Sequence, residues 1–241
     1  MKKILIIFTI IFMTASAAFA SYQEALELFK GEKYEESLKI LADILVVDDD
    51  MKEGSPNYKI RFLAAHNHWK LGNAKSVIAH LRRCMDIDPK TPDPYIDLGI
   101  YFIENKRYGD AAAIAEEGLK VKEDHMFFWI LGRAAMEKKN YTRAKELFEK
   151  ANTINPEFYI SYNDLGITLM KLKRYGEANA AFSVALAIKP DSAEINNNMA
   201  LCYHMTEKYK EALNYAEKAA ELNPESSEIK DTISRIKQTG N

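Results

Sequence analysis

Residues 159–192 read YISYNDLGITLMKLKRYGEANAAFSVALAIKPDS. Two apolar stripes at helical spacing flank a polar turn running from Lys171 to Tyr175. Leu165, Leu169 and Leu172 form the first stripe, and Ala178, Phe182, Ala185 and Leu186 the second. The stretch predicts a helical hairpin closed by Pro190, a residue that cannot donate from a helix interior. One hairpin cannot bury both of its faces alone, so neighbours must stack on it.

Neighbours of the same design stand on both sides, beginning at His125 and Ala193, each 34 residues away. Tyr141, Tyr175 and Tyr209 fall in one column. Ala144, Ala178 and Ala212 form another, as do Ala151, Ala185 and Ala219, and Pro156, Pro190 and Pro224. Leu131-Gly132 stands above Leu165-Gly166, with Met199-Ala200 third. Small residues in that column predict a close approach of two helices. Tyr after the turn is large enough to wedge the hairpin, with a hydroxyl that stays wet. The pattern extends upstream with more wear, through Leu98-Gly99, Tyr108 and Ala111, and through Lys70-Leu71-Gly72-Asn73 with Pro89. The expected repeat windows are 58–91, 92–124, 125–158, 159–192 and 193–226, preceded by a degenerate copy over 21–51. After Pro224, Ile229, Ile233 and Ile236 share one side of a segment whose remainder is charged. Residues 227–238 therefore read as a capping helix with one wet face.

These columns resemble the tetratricopeptide repeat family over essentially the whole chain beyond its N-terminal leader. The resemblance implies an all-α fold, a right-handed α-solenoid of about six helical hairpins plus the C-terminal cap. It also implies that the chain binds another protein or peptide and is not an enzyme. Length and repeat number are similar to the pilot proteins of type IV pilus assembly. Those typically carry an acylated Cys, whereas no Cys follows the apolar run at this N-terminus.

The leader has its own logic. Lys2 and Lys3, an apolar run from Ile4 to Met13, and the ending Ala18-Phe19-Ala20 match the three parts of a secretory signal peptide. Residues 1–20 are therefore expected to be cleaved, leaving a periplasmic or secreted protein with no membrane span. The apolar run is shorter than the ~20 residues a spanning helix needs. The 33 basic and 35 acidic residues give no excess to neutralise phosphates, so nucleic acid is excluded as a partner class. Cys84 and Cys202 lie 118 positions apart and read as buried apolar residues, not a bridge.

No cofactor or metal site is expected. His66 and His68 are two apart and diverge on a helix, and the remaining histidines are scattered. Asp48-Asp49-Asp50 lacks the calcium-loop rhythm, and there is no nucleophile elbow or phosphate loop. What is left is a surface. The resemblance places the second, fifth, sixth, ninth and twelfth residue of each repeat on a concave groove. Carried over, these include Ile96, Asp97 and Ile100; Trp129, Ile130 and Arg133; Ile160, Asn163, Asp164 and Ile167; and Asn197, Asn198 and Leu201. The family's carboxylate clamp wants Lys, Asn and Arg at set positions, and only Arg133 answers here. The strip is thus expected to be apolar and amide-edged, with Trp129 as its anchor. Its occupant is a partner segment, the chain's own N-terminal segment or a second copy of the chain; otherwise the strip serves packing between first helices.

Overall fold

A computed structural model describes residues 17–47 and 57–240. Residues 1–16 and the Asp48–Asp50 run lie outside them, and with these most of the expected leader. The helices are α1 (residues 17–30), α2 (Tyr34–Val47), α3 (Asn57–Lys70), α4 (Ala74–Ile87), α5 (Asp93–Glu104) and α6 (Tyr108–Val121). They continue with α7 (His125–Glu137), α8 (Tyr141–Ile154), α9 (Tyr159–Lys171), α10 (Tyr175–Ile188), α11 (Ala193–His204), α12 (Tyr209–Leu222) and α13 (Ser227–Thr239). The fold is all-α, an array of helical hairpins with a final cap. Helix α1 begins ahead of Ala20, and Ala18 packs with Tyr22, Leu26 and Phe29 on the core of Ala25, Leu41, Ile60 and Leu63.

Two compact units divide the chain. One holds the residues up to Tyr101 together with Lys120–Lys122; the other holds Phe102–Leu119 and everything from Glu123 onward. In the first, α2 packs on α3 and α3 on α4. In the second, each helix from α7 to α13 packs on the next, and α7, α9, α11 and α13 also meet in succession.

Every hairpin turn uses the same backbone device. A residue two or three places beyond the first helix sits in the left-handed region: Glu32, Gly72, Lys106, Lys139, Lys173 and Glu207 have φ of 60°, 73°, 57°, 58°, 59° and 60°. The amide that follows it then reaches back five residues, as Arg174 N does to Leu169 O at 2.8 Å and Asn140 N to Ala135 O at 2.9 Å. That pairing satisfies carbonyls the helix end would otherwise orphan. The starts of α7, α8, α11 and α13 are capped by side chains: Asp124 accepts from Met126 N, Asn140 from Arg143 N, Ser192 from Ile195 N and Ser226 from Ile229 N.

The glycine column has a more specific cause than backbone approach. A Cβ on Gly132 would lie 2.5 Å from the Phe148 ring, and one on Gly166 2.5 Å from the Phe182 ring. Each ring reaches across its own hairpin and lies against the first helix. In the last hairpin the pair becomes Ala200 and Ala216, which share a core with Ala212 and with Ile236 of α13. Cys84 and Cys202 are free and buried, each pointing at a backbone carbonyl of its own unit.

Candidate functional site

In the second unit, α7, α9 and α11 lie side by side and turn their fifth, sixth and ninth positions toward one another. Asp164 of α9 is the centre. Trp129 Nε1 donates to its Oδ2 at 2.8 Å, and Arg133 Nη1 donates to its Oδ1 at 3.2 Å. Asp164 is only 2% exposed, whereas the Arg133 side chain is 37% exposed. The arginine therefore spans from water to a buried carboxylate. Burial pushes the Asp164 pKa up, with Arg133 and Trp129 pulling the other way without cancelling it.

A second link joins α9 to α11. Asn163 Nδ2 donates to Glu194 Oε1 at 2.9 Å, and Asn198 Nδ2 donates to Asn163 Oδ1 at 2.9 Å. The amides Asn163 and Asn198 are thereby committed within the protein, and Asn163 and Asn197 are buried. Together these contacts form a polar brace across three first helices.

Beside the brace lies a cleft of about 310 Å³. Its walls are Arg133, Met136 and Glu137 at the end of α7, Asp164, Ile167 and Lys171 on α9, Lys139 in the turn, and the turn tyrosines Tyr108 and Tyr141. It combines apolar wall, aromatic hydroxyls and cationic side chains.

Residues 58–91, 96–157, 135–202 and 169–236 each match a family model for the tetratricopeptide repeat. The chain belongs to the tetratricopeptide repeat family. No curated relative matches it. Among solved structures, this tetratricopeptide protein is similar to PilF of Pseudomonas aeruginosa, at 19% identity and TM-score 0.73, over 92% of this chain and 99% of that one. It is also similar to PilW, described as a type IV pilus biogenesis factor, at 15% identity and TM-score 0.75, over 90% and 98% of the two chains. A third likeness is to the Cut9–Hcn1 assembly of the APC/C, at 18% identity and TM-score 0.75; it covers 91% of this chain and 42% of that one.

The tetratricopeptide groove positions divide by surroundings. Trp129, Arg133, Asn163, Asp164 and Asn198 meet in the brace, and Arg133, Asp164 and Ile167 also line the cleft. Ile130 is 0% exposed and belongs to the core. Ile160 and Leu201 keep some exposure, while Asn197 leaves its Oδ1 buried without a partner. Ile96, Asp97 and Ile100 fall in the first unit, where Asp97 Oδ2 lies 3.1 Å from His66 Nε2. Motif transfer missed Lys139, Lys171, Tyr108 and Tyr141 of the cleft, because turn residues lie outside the transferred groove positions. It also missed the cross-repeat pairing of residues 31 apart, visible in the sequence as His66 with Asp97 and Arg133 with Asp164.

Proposed function

We propose that this tetratricopeptide chain is a non-catalytic scaffold of the cell envelope that holds a segment of a partner protein in the α7–α9 cleft. The carrying observation is the cleft itself: about 310 Å³, with apolar, aromatic and cationic walls beside a braced helix face. Such a mixture anchors a peptide by burial of one side chain while polar groups fix its direction. YrrB, described as a tetratricopeptide protein with an unusual peptide-binding site, supports peptide binding by this fold at 18% identity and TM-score 0.57. The likeness to PilW, described as a type IV pilus biogenesis factor, supports a role in assembly, and the N-terminal leader agrees with export.

The test is crosslinking and pull-down from the native envelope, with wild type beside Ile167→Asp and Lys171→Glu. Both residues line the cleft outside the buried brace contacts, so fold can be checked by circular dichroism. Loss of the same partners in both variants is expected. Full recovery in both would remove the cleft from consideration.

A self-associating array is the second reading. It draws on Ile154, Val184 and Leu222, whose side chains remain 40%, 39% and 41% exposed on α8, α10 and α12. Light scattering of the purified protein separates the two, because a stable monomer contradicts self-association.

A further inference from the structure

The two residue pairs 31 apart occupy the same register, yet differ in one chemical respect. In each, the ninth residue of one repeat meets the sixth of the next: Arg133 with Asp164, and His66 with Asp97. Arg is charged at every pH a protein survives, whereas His is not.

Around His66 both ring nitrogens face acceptors. Nδ1 lies 2.8 Å from the Phe62 carbonyl oxygen, and Nε2 lies 3.1 Å from Asp97 Oδ2. A neutral imidazole has one N–H, so either tautomer would set a ring lone pair against an oxygen lone pair. Only the imidazolium satisfies both sides. Asp97 Oδ2 is itself buried and outside any formed hydrogen bond, so its 3.1 Å approach to His66 is an ionic contact that a neutral ring would forfeit.

The rest of the setting is aromatic. Phe62 meets the imidazole edge at 4.7 Å, Phe29 of α1 at 6.4 Å, and Trp69 stacks at 6.2 Å. The charged group facing His66 from α5 is Asp97, and the one on its own helix is Lys70. Asp97 faces two further titratable groups, Tyr58 and Cys84, both pushed up by burial and so neutral. Burial pulls the His66 pKa down, but the Asp97 contact and the Phe62 carbonyl outweigh it, against Lys70, and the net direction is up.

We infer that His66 and Asp97 form a proton-dependent clasp between α3 and α5, closed in mild acid and loosened as pH rises. Protonation adds the charge that Arg133 supplies permanently in the second unit. Above the folded-state pKa the neutral ring can donate to only one side, and the buried Asp97 oxygen loses its charged neighbour. The clasp's contribution is fully present below the ordinary histidine value of 6.5 and lost as pH rises through the raised one. An envelope compartment whose acidity follows the surroundings is a setting where such a joint changes stiffness without any ligand.

The experiment is a pH titration of the purified protein, following the imidazole nitrogens by NMR and backbone amide exchange in parallel. His66 is expected to keep its proton above 6.5, and amide exchange in α3 and in α5 up to Tyr101 to rise several-fold as that proton leaves. Asp97→Asn is expected to move the His66 titration downward and uncouple it from exchange, while His66→Arg keeps exchange slow throughout. A His66 titration at or below 6.5 in wild type overturns the clasp, whether or not the variants fold. So does an unchanged titration in Asp97→Asn.

Discussion

Gly166 and Phe182 sit face to face across one hairpin, so that a methyl group on the first would stand 2.5 Å from the ring of the second. Phe182 is fully buried, and the ring occupies the volume that a side chain at position 166 would need. Gly166→Ala is expected to cost about 1–3 kcal/mol through overpacking. Phe182→Ala is expected to cost about 3–5 kcal/mol through the cavity it leaves. The double variant reproduces the native pair Ala200 and Ala216 of the last hairpin, so its cost should fall below the sum of the two by at least about 0.5 kcal/mol. Urea unfolding of the four proteins measures this; strict additivity would show that the ring and the glycine are not coupled.

The turn residues carry a separate prediction. Lys173 has φ of 59°, in a region where a side chain crowds the following carbonyl and glycine does not. Lys173→Gly should therefore leave stability unchanged or raise it by up to about 1 kcal/mol, a shift of about 2–4 °C in Tm. Gly72→Ala, at φ of 73°, should move Tm the other way. Calorimetry of both variants decides, and a lower Tm for Lys173→Gly refutes the strain argument.

Asp164 makes the brace depend on pH and on its partners. Its raised pKa means that the folded chain holds a proton more readily than the unfolded one. This group therefore contributes stability at low pH that is lost as pH rises through the folded value. Arg133→Ala leaves the carboxylate with Trp129 alone, and should cost about 1–3 kcal/mol at neutral pH. Asp164→Asn keeps an acceptor for Trp129 and removes the charge, so it should be milder. Thermal melts at neutral pH rank the two, and the opposite ranking would count against a costly buried charge.

Two histidines act in the other direction from His66. His68 and His80 stack at 5.4 Å across the α3–α4 hairpin. Burial, then His68 and Arg61, hold His80 down to about 4. A depressed histidine binds its proton less readily when folded, so stability is present above 6.5 and lost as pH falls toward about 4. His80→Gln should flatten the acid side of a melting-temperature profile; an acid limb identical to wild type would clear His80 of this role.

The thiols offer a rapid check. Burial pushes Cys84 up to about 12 and Cys202 up to about 11, and both are fully enclosed. Thiolate is the reactive form, so neither should alkylate at pH 8 until the chain is unfolded. Mass spectrometry after iodoacetamide treatment, with and without denaturant, reads the outcome.

The repeat and the cap were legible because their signals are local: Pro224, the Ser226 start and three isoleucines define α13 within a dozen residues. The glycine column was visible too, but its cause was not, since the partner ring lies 16 residues on and sequence does not show which way Phe182 turns. The left-handed turn position was silent because five of its six occupants are Lys or Glu with no preference for such geometry. In the groove, Ile130 was placed on the surface although it faces the core, one helical step beside the half-buried Trp129. Asn163 looked like a free amide because its acceptor, Glu194, belongs to the next repeat and is reached only after stacking.

The α11–α12 hairpin is filled differently from the two before it. Hairpins built on Gly132 with Phe148 and Gly166 with Phe182 fill their own interior with a ring, whereas Ala200 and Ala216 leave room that Ile236 enters from α13. The α11–α12 hairpin is thus a keyed socket for α13, its small side chains and the isoleucine filling one interior together.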